Sequence, residues 1–334
     1  MNQNTFKSNY FIFILPTLMS LLLIFKLSSV QRIDSVSQNQ ESNSVKRTKT
    51  IAEVKNVPSG KFDYGGSVCF APLVREGFHK AIKKAYPLLE LNYVEPAVRP
   101  GCGAEIQPLL QKNFSFLLNT RSPNLKEYEL ARKRGIDLGL VLLGTDSVAV
   151  YTHKSNEVDH VTLEQLRDIY LGKITNWQEL GGSNNPIIPV SLYPTANTDL
   201  QVLMQLDDEN IKQLNLSKST EFVRDYTNAI RLVSKTPGAI SLASSAIVKG
   251  QNSIKPLALA RNDASIPVSA ILADRSINLK AIKSKSYPLT RQLWIVFRDD
   301  PTTSKQIGIA YSNFLQSEQG QKFLEQAGFV PRRQ

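Results

Sequence analysis

Cysteine, histidine and tryptophan are scarce in this sequence of 334 residues, which holds two, three and two of them. Two cysteines exclude a disulfide scaffold and a cysteine-rich zinc site. His79, His153 and His160 lack the spacing of a helical metal site, so we expect solvated histidines and no bound metal. The sequence also lacks a G-x-S-x-G motif, a Walker loop, an H-E-x-x-H motif and a nucleophile with a convincing histidine partner. We therefore expect neither an enzyme nor a cofactor.

Apolar residues, in contrast, make up 42% of the chain and charged residues 21%, which excludes a disordered protein. The length allows one large domain or two ordinary ones. Forty basic residues against 29 acidic ones give a formal charge of +11. That surplus suits nucleic acid, a membrane surface or an anionic ligand. Because the basic residues are spread along helical stretches without interleaved aromatics, we expect no nucleic-acid partner.

An uncharged apolar segment lies close to the N-terminus, from Tyr10 to Phe25, with Lys7 before it and Lys26 directly after it. As a helix it would span about 24 Å, slightly less than the hydrocarbon thickness of a bilayer. We therefore predict that residues 1–30 are a signal peptide or an N-terminal membrane anchor. A small-x-small cleavage site is poorly met, since only Ser28 and Ser29 offer small residues, so both alternatives stay open.

Residues 31–60 are rich in Ser, Asn, Gln and charge and have no sustained apolar period. This composition predicts a disordered linker. The leader and linker together hold seven basic and three acidic residues, so they carry +4 of the charge and leave +7 to the rest of the chain.

The remainder alternates short apolar runs with amphipathic stretches. Runs with strand composition are 89–96, 114–119, 138–143, 147–153, 187–193, 238–243 and 291–297. Helices are predicted over 72–86, after a capping box formed by Thr162 and Gln165 with a stop at Gly172, and over 304–328. Alternation of this kind predicts an α/β fold with a mostly parallel sheet.

Two glycine-containing loops connect predicted strands to predicted helices. They span 65–72 and 99–106, and each places backbone N–H groups at the start of a helix, an arrangement that binds anions. The Ser67 hydroxyl would add a further donor to the first loop. Loops of this kind are also common in purely structural roles.

The stretch 161–190, VTLEQLRDIYLGKITNWQELGGSNNPIIPV, resembles the substrate-binding proteins of phosphate ABC transporters. In that family a helix, an "IY-G-I-NW" turn, a Gly-Gly pair and an "I-PV" strand follow in this order. Further similar segments keep the family's order: 65–87, 120–131, 235–241, 287–297 and 314–331. The resemblance therefore extends from about Lys61 to Pro331.

The resemblance implies a periplasmic-binding-protein-like fold of type II, with two α/β lobes joined by two crossover strands. Residues 61–148 and 255–334 would form lobe one, and 149–254 lobe two. A ligand would bind between the lobes, and hinge bending would close them on it. Trp177 and Trp294 are expected in the core.

Ligand-binding residues implied by the resemblance are Ser67, Val68, Gly103, Ala104, Thr120, Arg121, Thr195, Asn197 and Thr198. The chain departs from the family in segment 191–198, which lacks the usual arginine and the glycine of the S-G-T run. Arg121 could replace that cation or form a structural salt bridge with Glu127 or Glu129. Segment 195–198 could contact the ligand or only cap a helix.

Cys69 and Cys102 fall in the two glycine-containing loops, which the family fold would place side by side. In an oxidising compartment they could form a disulfide; two buried free thiols are the alternative.

The resemblance implies an exported protein, periplasmic or extracytoplasmic, that captures phosphate or a related oxyanion for an ABC transporter permease. The alternative is a membrane-tethered sensor or interaction module with altered or lost phosphate binding.

Overall fold

Eleven strands form one sheet in the described part of the computed structural model, which comprises residues 48–95, 106–193, 198–207 and 210–332. The strands are β1 (Gly60–Gly66), β2 (Leu89–Tyr93), β3 (Phe116–Asn119), β4 (Leu138–His153), β5 (His160–Thr162), β6 (Ile188–Leu192), β7 (Glu221–Val223), β8 (Ala239–Ser244), β9 (Ile254–Ala260), β10 (Thr290–Arg298) and β11 (Val330–Pro331).

Helices connect these strands and cover the sheet. The α-helices are α1 (Ala71–Arg75), α2 (Phe78–Ala85), α3 (Gln107–Leu110), α4 (Leu125–Lys133), α5 (Leu163–Tyr170), α6 (Thr198–Met204), α7 (Tyr226–Lys235), α8 (Ser245–Val248), α9 (Leu279–Lys283), α10 (Thr303–Gln316) and α11 (Glu318–Ala327). Short 3₁₀ helices add turns at Ile51–Glu53, Val68–Phe70, Trp177–Leu180 and Ile211–Gln213.

The sheet is mixed, and its main path runs β2-β1-β3-β10-β4-β8-β6-β7. Strand β1 pairs in parallel with β2 and β3, and β6 pairs in parallel with β7 and β8. The two sets are joined through β4 and β10, whose pairings are antiparallel. The prediction of a mostly parallel sheet is therefore wrong, because the long central strands β4 and β10 run antiparallel to the strands beside them.

Strand β4 is continuous where the sequence predicts two separate runs. Up to Ser147 it pairs with β10 and β11, and from Val148 onwards it pairs with β8 and β9. One strand thus belongs to both ends of the sheet and changes partners in its middle. The division into lobes near residues 148 and 254 stays a prediction.

Two predicted helices are broken in the structure. Gly77, with φ of +96°, separates α1 from α2, and Ser317 separates α10 from α11. The capping box at Thr162 and the stop at Gly172 are confirmed, since α5 begins after Thr162 and Gly172 follows it with φ of +73°.

Residues 48–60 pack against the fold, so the prediction that the linker extends to residue 60 is wrong. Ile51 and Val54 are buried, and the Tyr86 hydroxyl lies within hydrogen-bond distance of both of their carbonyl oxygens, at 2.9 and 2.6 Å. The sequence does not predict this contact, because Ile51 and Val54 are isolated apolar residues that belong to no periodic pattern.

The prediction that Trp177 lies in the core is confirmed, because its side chain is buried and its Nε1 donates to the Gly238 carbonyl at 3.0 Å. Trp294, predicted to lie in the core as well, is half-buried. No helix among the described residues is long and apolar enough to cross a membrane. The predicted leader, residues 1–30, lies outside the described residues.

Candidate functional site

The first predicted ligand loop follows β1. Ser67 is 2% exposed, and its backbone N–H donates to the Leu118 carbonyl at 2.8 Å, which fixes the loop against β3. The Ser67 Oγ accepts from the Cys69 N–H at 3.2 Å and so caps the 3₁₀ helix that Val68 opens. The Ser67 hydroxyl proton is not used by that contact and can be donated to a neighbouring acceptor.

The segment 120–131, which also holds predicted site residues, begins directly after β3. Thr120 is 3% exposed, and its Oγ1 lies 3.1 Å from the Oγ1 of Thr198 at the start of α6. The structure therefore brings together two hydroxyls that are far apart in the sequence and were both predicted to bind a ligand.

Arg121 forms the structural salt bridge that the sequence left open as one alternative. Its Nη1 and Nη2 donate to the two carboxylate oxygens of Glu127 at 2.7 and 3.0 Å. Glu127 also forms the capping box of α4 with Asn124, so the ion pair is anchored to a helix start. A ligand-binding role for Arg121 stays a prediction.

A buried ion-pair network lies beside the two threonines. Arg291 on β10 donates from Nε and Nη2 to Asp146 Oδ2 at 3.0 and 2.9 Å, and from Nη1 to Asp199 Oδ1 at 2.5 Å. Nη1 also donates to Thr198 Oγ1 at 2.9 Å, and Nη2 to the Cys69 sulfur at 3.2 Å. The three charged side chains are at most 2% exposed.

Hydroxyl groups complete the surroundings of both carboxylates. Ser244 donates to Asp146 at 2.8 Å, and Tyr226 donates to Asp199 at 2.7 Å. Burial raises the pKa of Asp146, and the neighbouring Arg291 and Ser244 oppose that rise. Burial also raises the pKa of Tyr226 well above its usual range, so its hydroxyl stays a donor. The network is a fixed array of charges and oriented hydroxyls shielded from water, where electrostatic interactions are strong.

Sequence reasoning missed Arg291, Asp146 and Asp199. A usable signal was present, because Asp146 and Arg291 are charged residues at the edges of strongly apolar strand segments, where an unpaired charge is costly. Two such residues of opposite charge suggest a buried pair. Sequence alone does not bring Asp199 to the same point.

The remaining predicted site residues fall outside the described residues: Gly103, Ala104, Thr195, Asn197 and Cys102. Cys69 is disulfide-bonded and fully buried. Its predicted pairing with Cys102 stays a prediction.

Comparison with known proteins shows which proteins this chain resembles in sequence. A family model described as the PBP superfamily domain matches residues 59–319. The phosphate-binding protein PstS of Staphylococcus epidermidis is 24% identical over 236 residues, which cover 69% of this chain and 67% of the relative.

Solved structures show the same fold. A phosphate ABC transporter substrate-binding protein from Clostridium perfringens, solved with bound phosphate, is 23% identical with a TM-score of 0.65, covering 82% of this chain and 100% of that one. An ABC-type phosphate transport receptor from Vibrio cholerae is 20% identical with a TM-score of 0.59, again covering 82% and 100%. The α/β fold implied by the sequence resemblance is confirmed.

Proposed function

Because the chain belongs to the PBP superfamily, we propose that it is a solute-binding protein that captures phosphate or a related small oxyanion and presents it to an ABC transporter. The ligand is bound and released without chemical change. The relatives named for phosphate binding and phosphate transport support this choice of ligand.

The observation that carries the proposal is the buried contact between Thr120 and Thr198, whose hydroxyls lie 3.1 Å apart beside the Arg291 guanidinium. Hydroxyl and backbone N–H groups are suitable donors for the oxygens of a tetrahedral anion, and they discriminate by position rather than by charge alone. Ser67, directly after β1, supplies a third buried hydroxyl, and β1 pairs in parallel with β3, the strand that Thr120 follows.

We further propose that the protein works outside the cytoplasm, exported through residues 1–30. The disulfide at Cys69 supports this localisation, because disulfides persist in oxidising compartments. Either cleavage or retention of the leader would be compatible with ligand capture at the membrane.

The test is titration of the full chain with inorganic phosphate by calorimetry, with sulfate, arsenate and molybdate in parallel. We expect micromolar or tighter phosphate binding, and a hundredfold excess of ligand over Kd to stabilise the fold by ~2.7 kcal/mol. Thr198→Val, which removes one hydroxyl at nearly constant volume, should weaken binding about tenfold or more.

Thr152→Val is the matched control, because Thr152 is equally buried but donates to the Ala239 carbonyl, away from the proposed site. It should lower stability and leave phosphate affinity unchanged. If none of the four anions binds the full chain, the proposal is wrong and the tethered-sensor alternative is favoured.

A further inference from the structure

The direction of one hydrogen bond in the buried network is fixed by chemistry. A guanidinium has donors and no acceptor, so Thr198 Oγ1 must accept the bond from Arg291 Nη1, whose length is 2.9 Å. The single proton of the Thr198 hydroxyl then points away from Arg291. It can be donated to Thr120 Oγ1, 3.1 Å away, or to an oxyanion that lies against the two threonines.

Arg291 itself has little freedom to turn. Its N–H groups make at least five hydrogen bonds, two of them to Asp146 and one each to Asp199, Thr198 and Cys69. Because the side chain is 2% exposed, water cannot readily replace a lost partner. The planar fork therefore holds Nη1 in one orientation toward Thr198.

Asp199 connects this fork to the helix that carries Thr198. The two residues are adjacent at the start of α6, and both accept from the same nitrogen of Arg291. Tyr226 on α7 holds the second carboxylate oxygen of Asp199 at 2.7 Å. Rotation of the Thr198 backbone would thus break contacts on two sides of Asp199.

We propose that Arg291 is a positioning residue that orients the Thr198 hydroxyl as a hydrogen-bond donor for the bound oxyanion. This inference rests on the proposed function. The guanidinium acts through Thr198, while its own N–H groups stay engaged with Asp146, Asp199 and Cys69. Lysine at this position would keep the charge and lose the fork, so it should not orient the hydroxyl.

The test is a double-mutant cycle with inorganic phosphate, measured by calorimetry on the full chain, with Arg291→Lys, Thr198→Val and the double variant. Arg291→Lys alone should weaken phosphate binding at least tenfold. In the Thr198→Val background the same substitution should change the affinity less than threefold, because the hydroxyl that it orients is gone.

Arg298→Lys is the matched control. Arg298 lies on the same strand, is 3% exposed, and donates to the carbonyls of Leu109 and Phe114 at 2.9 Å, so it is a buried arginine with a structural role. Its substitution should lower the melting temperature and leave phosphate affinity within twofold of the unaltered chain.

Several results would overturn the inference. If Arg291→Lys lowers the melting temperature with no change in affinity, Arg291 is structural only; if its effect is equally large in the Thr198→Val background, it does not act through Thr198. If Arg291→Lys is unfolded by circular dichroism, Asp199→Asn replaces it, with an expected threefold or greater loss, and unchanged affinity contradicts the inference. Failure of the unaltered chain to bind phosphate overturns the proposed function as well.

Discussion

His79 lies in an aromatic cluster, although the sequence predicted a solvated side chain. Its Nε2 is 3.0 Å from the Tyr311 hydroxyl, and its ring meets that of Tyr64 edge-on at 5.6 Å. Burial lowers the pKa of His79 to about 4 from the ordinary 6.5. The imidazole is therefore neutral in the folded protein at physiological pH.

This histidine should make the fold less stable in mild acid. Between pH 6.5 and 4 the unfolded chain binds a proton at His79 and the folded chain resists it, so stability falls as the pH falls through this window. We expect a loss of about 2 kcal/mol, less than the full pKa difference implies, because the side chain is partly exposed. Urea denaturation from pH 7.5 to 4.5 measures it.

His79→Gln should remove this part of the pH dependence, even if packing makes the variant less stable at pH 7.5. His160→Gln, at an exposed position, should keep the slope of the unaltered chain. An equal slope in both variants would contradict the assignment to His79.

Sequence reasoning found the hydroxyls of the candidate site and missed its charges. Ser67, Thr120 and Thr198 follow strands in positions where a resemblance to a family identifies them. Arg291 and Asp146 are 145 residues apart in the chain. The apolar segment beside each predicts a buried charge, but nothing local in either strand indicates which opposite charge it meets. The buried network is a property of the antiparallel pairing of β4 with β10, which periodicity does not predict.

At the scale of elements, helix α5 allows a direct test of the capping box that the sequence predicts at Thr162 and Gln165. Thr162 Oγ1 accepts from the Gln165 N–H at 3.1 Å, and the Gln165 side chain accepts from the Thr162 N–H at 2.8 Å. Thr162→Ala should lower the free energy of unfolding by about 1 kcal/mol, because the Gln165 N–H at the helix start loses the hydroxyl oxygen that accepts from it. Thermal or urea denaturation measures the loss.

Thr162→Ser retains the hydroxyl and should cost less than half as much. Equal losses for both variants would show that the methyl group of Thr162, and not the capping bond, stabilises this helix start.

The sequence predicts the end of a helix where the apolar spacing stops at the terminating glycine. It does not predict the end where the spacing continues past that glycine. Gly172 marks the end of α5, whereas the apolar spacing continues across Gly77 and so predicts one uninterrupted helix there. Its φ of +96° lies in a region that glycine adopts readily, and a Cβ there would meet no atom within 4 Å, so the break is a backbone preference. Strands β5, β7 and β11 have three residues or fewer and carry too short a pattern to recognise.

At the scale of the whole molecule, the segment before β1 is part of the packed domain. Ile51 is 1% exposed, its N–H donates to the Gln319 side chain at 3.0 Å, and the Thr48 carbonyl accepts from the Glu318 N–H at 3.1 Å. Residues 48–51 therefore pack against the start of α11, which is more than 260 residues away in the sequence.

Ile51→Ala should lower the free energy of unfolding by about 3 kcal/mol, the usual cost of deleting a fully buried aliphatic side chain. Ile266→Ala is the control, because Ile266 is 86% exposed and its truncation should cost about 0.5 kcal/mol or less. Equal losses in urea denaturation would mean that residues 48–54 are not anchored.

The pairing of β4 also governs when the molecule can fold during synthesis. Its first half takes its neighbours from Thr290–Arg298 and Val330–Pro331, close to the end of the chain. Until those residues have been made, the central strand has an open edge and Asp146 has no guanidinium beside it. Contacts of such long sequence separation form slowly, because the intervening loop must close first. A chain with this topology therefore cannot complete its central sheet until residues 290–331 have been synthesised.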